Sequence, residues 1–328
     1  KNYEEANRAA MNGIFIVLIS YLAFAIFGFF FSYKFFLAQT NDLEIVQYGA
    51  DYLSICFVFS FGSLLQLTME RILQSTGKTF YTMITQGTGA IINIIFDPIL
   101  IFGYFGFPAL GVKGAAIATV AGQIVAMFLA IFFNVKKNEY IRFRIRGFRP
   151  SLNTIKQIYL VGIPSMIMQA IGSVMTFGMN KILMPYSATM VSVFGIYFKL
   201  NSFIFMPVFG LNNGMVPIIA YNYGAKNKDR IVKTIKASIV VATGLMLIGL
   251  LVFQIFPDKL LSIFKASDEM MDIGVWALRC ISWSFILAGV CIVLTSVFQA
   301  FSEGFVSLLI SVVRQLIVIL PVAYFLSH

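Results

Sequence analysis

The chain has 328 residues, of which 59% are hydrophobic and only 12% charged, with a mean hydropathy of +0.87 and a formal charge of +10. Soluble chains carry roughly 45–50% apolar and about 25% charged residues, so the length prior of two soluble domains gives way to a polytopic membrane protein. Disorder, a disulfide scaffold, a coiled coil and a nucleic-acid-binding module are excluded.

A spanning helix needs about 20 predominantly apolar residues. Nine stretches qualify in chain order: about 10–33, 47–73, 79–105, 111–135, 155–184, 188–222, 232–256, 270–300 and 304–327. Several exceed that length, so tilt or overhang is expected. The connections are short except for residues 138–153, a polar, basic linker containing Pro150. That linker divides the chain into a first lobe, 1–137, and a second, 154–328. Most of the 24 Lys and Arg fall in alternate loops: Lys1 and Arg8, Arg71 and Lys78, the linker with Arg142, Arg144, Arg146 and Arg149, and the loop from Lys226 to Lys236. By the positive-inside rule these loops are cytoplasmic. The positive charge is therefore a topology signal and an anionic-lipid contact, and no nucleic-acid partner is expected.

Cys56, Cys280 and Cys291 fall inside apolar stretches and read as core packing. The single histidine, His328, is the last residue, so histidine chemistry and His-ligated metals are absent from the reading. No prosthetic cofactor is implied. The chain begins at Lys1 rather than Met, and reads as a piece of a longer protein.

Transporters often carry internal repeats. A shift of 225 pairs Lys1 with Lys226, Asn2 with Asn227, Lys34 with Lys259, Gly49 with Gly274, Leu53 with Leu278 and Gln74 with Gln299. With a gap of two, Pro98 meets Pro321. The shift carries the first span onto the seventh, so one repeat is six helices and both copies keep the same orientation. The expected whole is all-α: two pseudo-symmetric six-helix lobes, of which this chain supplies nine helices.

Asp97 reads as the only acid well inside a span. An ionised carboxylate at that depth costs about 2.5–3.5 kcal/mol or more, so it is expected to face a cavity; the alternative is a local cap of a helix broken at Pro98. Asn93 lies one turn earlier on the same face. The pair is a half-site for Na⁺ or for a proton relay. In the second repeat the matching positions are Leu316 and Leu320, while the proline is kept. The fold needs the proline, and the polar pair was added to one lobe only.

The stretches INIIFDPILIFGYFGFPALGVKGAAIATVAGQ (Ile92 to Gln123), GIYFKLNSFIFMPVFGLNNGMVPIIAYNYGAKN (Gly195 to Asn227), ERILQSTGKT (Glu70 to Thr79) and VGIPSMIMQ (Val161 to Gln169) resemble the MATE (multidrug and toxic compound extrusion) transporters, in particular their bacterial DinF-like branch. The resemblance runs from Lys1 to His328. It implies twelve helices in two lobes around a central cavity, with the third to the eleventh present here. It also implies a monomer in the inner (plasma) membrane that exports drug-like, hydrophobic and often cationic compounds in exchange for Na⁺ or H⁺ by rocker-switch alternating access. It places Asn93 and Asp97 in an N-lobe cation site, adds Thr119 from the next helix, and requires an aspartate on a first helix that this chain lacks. Thr119 alone reads equally as a hydroxyl bonded back to its own helix.

Lys199, Arg279 and Arg314 read as cations inside spans, which need a partner or water. Lys199 with Asn201, and Arg314, are candidates for the substrate cavity or a lock between lobes, and read equally as cations held in private salt bridges; Arg279 reads as structural. Gln169, Asn180, Asn212 and Asn213 are candidate polar wall residues, although each alone is more often helix–helix glue. Tyr197, Phe198, Phe203, Phe205 and Met206 read as one aromatic, Met-rich side of a span, suited to varied hydrophobic ligands. Glu70 and Arg71 read as end-of-span anchors. Three other functions compete with export: a lipid-linked oligosaccharide flippase, kept open by Lys199 and Arg314; a membrane-embedded enzyme, for which no zinc, nucleophile or phosphate motif is found; and a non-transporting membrane scaffold, against which the one-lobe Asn93 and Asp97 pair argues.

Overall fold

The structure is a computed structural model and describes residues 3–38, 42–143 and 148–326; Arg144, Arg146 and His328 lie outside them. The described residues are helical with no strand. The chain divides into two compact units, Lys1–Ile158 and Tyr159–His328.

The first unit holds α1 (Tyr3–Leu37), α2 (Leu43–Val58), α3 (Phe61–Ser75), α4 (Thr79–Phe102) and α5 (Val112–Lys137). α6 (Leu152–Leu183) starts in the first unit and runs into the second. There it is followed by α7 (Ala188–Gly224), α8 (Lys228–Ile255), α9 (Pro257–Ser262), α10 (Asp268–Ser282), α11 (Phe285–Ala300) and α12 (Gly304–Val312). A π-helical stretch, Val313–Ile319, then leads into α13 (Leu320–Leu326). Seven of the described helices are long and apolar enough to cross a membrane, and two bent pairs bring the total to nine.

The spans expected at 47–73 and 270–300 are these bent pairs, each made of two helices that meet at an angle. α2 and α3 meet at 48°, and α10 and α11 at 51°. At each break, side-chain hydroxyls compete for carbonyls. Ser63 Oγ donates to the carbonyl of Ser60 at 3.0 Å, and Ser284 Oγ to that of Ile281 at 2.7 Å. Serine bonding back to the preceding turn bends helices. The two breaks are related by the repeat. Adding 225 to the bounds of α2 and α3 gives those of α10 and α11 to within one residue. The same shift takes the start of α1 to that of α8, and the start of α4 to that of α12.

In the first unit, α5 is the central helix. Gly114, Ala118, Gly122, Ala126, Ala130 and Asn134 recur every four residues and are all buried. A stripe of small residues lets helix backbones approach closely where lipid offers no hydrophobic drive. A Cβ on Gly114 would collide with the Leu100 carbonyl of α4, and one on Gly122 would lie 2.6 Å from the Gly89 carbonyl. Below the stripe, fully buried Asn134 donates to the Met69 carbonyl of α3 at 2.8 Å and to its own Ala130 carbonyl at 2.9 Å. It also accepts from Asn138 at 3.2 Å. Asn134→Ala leaves the Asn138 amide without that acceptor and removes the tie to α3, at an expected cost of about 2 kcal/mol. A thermal melt of the purified protein unchanged from wild type would refute that.

The basic stretch after α5 is docked onto α1. The Arg142 N–H donates to Asn7 Oδ1 and the Ser151 N–H to Asn12 Oδ1, both at 2.9 Å, while Phe148 packs on Phe15 with ring centres 6.1 Å apart. In the second unit the core lies among α7, α8, α10 and α11, where Phe253 and Phe205 both meet Phe285 edge-on. Cys280 and Cys291, expected in the core, are exposed on helix faces, and Cys56 is half-buried. Each is a small apolar side chain that a lipid-facing surface tolerates as well as a core does.

Candidate functional site

α4 and α5 build the site. Their close approach at Gly89 and Gly122 brings Asn93 of one against Thr119 of the other. The Asn93 amide donates both to Asp97 Oδ1 and to Thr119 Oγ1, each at 3.2 Å. Thr119 in turn donates to the Ala115 carbonyl of its own helix at 2.9 Å. The two readings of Thr119 therefore hold together: its proton is committed to α5, which leaves its oxygen as an acceptor. All three side chains are half-buried. α4 continues through Pro98 to Phe102, so Asp97 is not the cap of a broken helix. Pro98 has no N–H to offer the Ile94 carbonyl one turn below it, which leaves that oxygen without its helical donor.

A cleft of about 330 Å³ opens beside this triad. Its polar lining is Ser63 and Gln66 from α3, Gln86 and Asn93 from α4, and Thr119 and Gln123 from α5, with Leu67, Gly89 and Ala90 between them. The lining contains no Lys or Arg.

Glu70 corrects the sequence reading. It is not an exposed anchor at the end of a span but one of the most buried side chains, 1% exposed. Gln66 donates to its Oε1 at 3.0 Å, Thr85 to the same oxygen at 2.8 Å, and Gln86 to Oε2 at 2.8 Å. Asp97 is thus not the only acid held inside the first unit. The neighbouring Arg71 points elsewhere, donating to Gln74 at 2.9 Å. Asp51 pairs with Lys113 at 3.3 Å near the surface.

The candidate wall residues of the second unit are placed without being brought together. No hydrogen bond or ion pair joins any two of Lys199, Asn201, Arg314, Gln169 and Asn180 among the described residues. Lys199 is exposed, with its ammonium 6.0 Å from the Phe264 ring centre. Asn201 is half-buried, and its Oδ1 has no partner, as is also true of Asn212. Arg314 is half-buried in the π-helical stretch, Asn180 is half-buried and Gln169 is exposed on α6. Arg279 is exposed. The aromatic, Met-rich side of α7 is in fact two sides. Tyr197 and Phe205 face the core, whereas Phe203 and Met206 are 78% and 67% exposed. Spacing along one helix could not say which neighbour each face meets.

Comparison with known proteins agrees with the resemblance. The family model described as MatE matches residues 1–99 and 164–325. A protein of Staphylococcus haemolyticus named multidrug export protein MepA is 30% identical over 285 residues, which is 87% of this chain and 62% of that protein. The chain thus spans 62% of the length of the curated relatives of that name. Among solved structures, one described as the MATE multidrug transporter DinF-BH, in a complex, is 28% identical, with a TM-score of 0.86 over 98% of this chain and 71% of that one. An outward-facing MATE family transporter of the MOP superfamily shares the fold, with a TM-score of 0.92 over the whole of this chain and 72% of that one at 23% identity. With its apolar helices, the chain is a multi-pass plasma-membrane protein, and it belongs to the MatE family.

Proposed function

We propose that the full-length protein is a secondary active exporter of drug-like, hydrophobic and often cationic compounds, and that Asp97, Asn93 and Thr119 bind the driving Na⁺ or H⁺. The observation that carries this reading is the single Asn93 amide tying Asp97 on α4 to Thr119 on α5. A carboxylate, an amide and a hydroxyl offer oxygens to a hard cation, and the carboxylate can take a proton instead. The cleft next to them, amide-lined and without Lys or Arg, suits a cationic guest better than a pyrophosphate, which favours export of cations over the flippase reading. The relatives' name, multidrug export protein, supports the same activity.

In this reading residues 1–137 and 154–328 are the two lobes, joined by the linker 138–153, and their rocking alternates access. Gln169, Asn180, Lys199, Asn201 and Arg314 are the proposed second-lobe contacts to substrate. Reconstituted into liposomes as a monomer, the full-length protein should expel ethidium several-fold faster under an inward gradient of its coupling ion than without one. Imposing Na⁺ and pH gradients separately identifies the ion. Equal rates with both gradients collapsed would refute coupled export.

A further inference from the structure

Neither Asp97 nor Glu70 lines the cleft, and each stands one side chain behind it. Asp97 is behind Asn93, and Glu70 is behind Gln66 and Gln86. Gln86 and Asn93 are seven residues apart on α4, or about 10 Å along the axis, so the two acids serve opposite ends of one cleft. Asp97 belongs to the proposed cation site, and Glu70 does not.

Glu70 is 1% exposed, and its neighbours meet it with hydrogen-bond donors rather than with a counter-charge. Gln66 and Thr85 donate to Oε1 and Gln86 to Oε2. Such donors suit an ionised carboxylate, which only accepts. They satisfy its lone pairs without cancelling its charge. Among the described residues no Lys or Arg forms an ion pair with it: Lys113 is the partner of Asp51, and the adjacent Arg71 donates to Gln74. The cleft lining adds no Lys or Arg. Salt screens exposed charges far more than buried ones, so the field of Glu70 reaches the cleft little weakened.

The fold does not need that charge. A neutral amide at position 70 would also tie α3 to α4, and a buried ion without a counter-ion is costly. The second repeat builds the matching bent pair without one. There the shift of 225 places Cys291 and Thr295 at the positions of Gln66 and Glu70, and Thr295 donates to the Cys291 carbonyl of its own helix. As with Asn93 and Asp97, the polar groups belong to one lobe. A guest seated against Gln66 and Gln86 carries its charge roughly 10–12 Å from the carboxylate, and at an effective dielectric constant of about 20 the attraction over that distance is worth about tenfold in affinity.

We propose that Glu70 is a specificity-determining residue: its uncompensated charge, one side chain behind the cleft, makes the cleft prefer a cationic guest to a neutral one of similar shape. This rests on the reading of the cleft as the place where the exported compound binds. In that reading Asp97 exchanges the driving ion at one end, and Glu70 supplies a standing charge at the other.

Binding, not transport, tests this, so that a failure of export leaves the result readable. The probes are tetraphenylphosphonium, a permanent cation, and triphenylphosphine oxide, a neutral molecule with the same aryl groups on phosphorus. Their dissociation constants are measured on the purified full-length protein at neutral pH. Wild type should prefer the cation. Glu70→Gln should weaken the cation about tenfold and the neutral probe hardly at all. Glu70→Asp keeps the charge but is one methylene too short to meet all the donors, and it should keep the preference. Equal weakening of both probes in Glu70→Gln would show a merely structural role and overturn the proposal, as would an unchanged preference there or a lost one in Glu70→Asp. If the Glu70 variants do not fold, Asp97→Asn decides: part of the preference should survive, and its complete loss overturns the proposal. Ala90→Trp, which puts bulk into the cleft and leaves both acids in place, should weaken both probes. If it does not, or if wild type binds neither probe, the reading of the cleft fails and the proposal with it. Binding as described in a protein that exports neither probe would support the proposal and refute the exporter reading alone.

Discussion

Asp97→Asn in the full-length protein should insert and melt like wild type and yet lose gradient-driven efflux. Asparagine keeps the size of the side chain and an oxygen for the Asn93 amide, which now donates to Asp97 Oδ1 at 3.2 Å, so the packing of α4 on α5 has no reason to change. What is lost is the group whose charge state can follow the driving ion. Each charge moving inward gains about 2.3 kcal/mol per 100 mV, and only a site that binds and releases that charge on the two sides of the membrane passes the energy on. Downhill leak through the protein should remain. Asn93→Ala should be milder, because it removes the tie between the two helices but keeps the carboxylate; Thr119→Val should resemble it. Efflux at the wild-type rate by purified Asp97→Asn, with an unchanged dependence on Na⁺ or pH, would show that coupling lies elsewhere, and Glu70 would be the first residue to test.

The sequence and the structure differ in an instructive way at these two acids. Asn93 and Asp97 were legible because they are one turn apart on one helix, where spacing alone fixes the face, and because the second repeat puts leucine at both positions. Glu70 was not legible. Its partners Thr85 and Gln86 are 15 and 16 residues away, on the far side of the turn at Gly77. Only the antiparallel return of α4 against α3 brings them to it, and the adjacent Arg71 gave the pair the look of a membrane-edge anchor. A signal was present: Gln66 and Glu70 share one face of α3, and Thr82, Thr85 and Gln86 lie at matching distances beyond the turn. Counting outward from the turn would have paired them.

The spans themselves were read closely because hydropathy is a property of composition, whereas the bends at 48° and 51° are not. They depend on serine hydroxyls taking carbonyls from the helix ladder, which no average over twenty residues registers. The second-lobe candidates show the same limit. Lys199, Asn201, Arg314, Gln169 and Asn180 were selected for being polar within apolar runs, and polarity does not say what a side chain faces.

Gly122→Leu should be among the most damaging single changes in the first unit. Even the first carbon of a side chain there would lie 2.6 Å from the Gly89 carbonyl and 3.6 Å from Asn93 Cβ. The near atom is backbone, so no rotamer change relieves it, and α4 and α5 must separate. Overpacking of this kind costs about 1–3 kcal/mol, or on the order of 5 °C in melting temperature for a chain of this size. The functional loss should exceed the loss of stability. The Asn93 amide already reaches Thr119 at the long distance of 3.2 Å, and further separation of the helices breaks the bond and opens the site. Gly172→Leu on α6, where an added Cβ meets nothing within 4 Å, is the matched control and should melt like wild type. Thermal melts and efflux of the two variants, measured side by side, check this. If Gly122→Leu melts and pumps like Gly172→Leu, the close approach of α4 and α5 is not what holds Asp97, Asn93 and Thr119 in register.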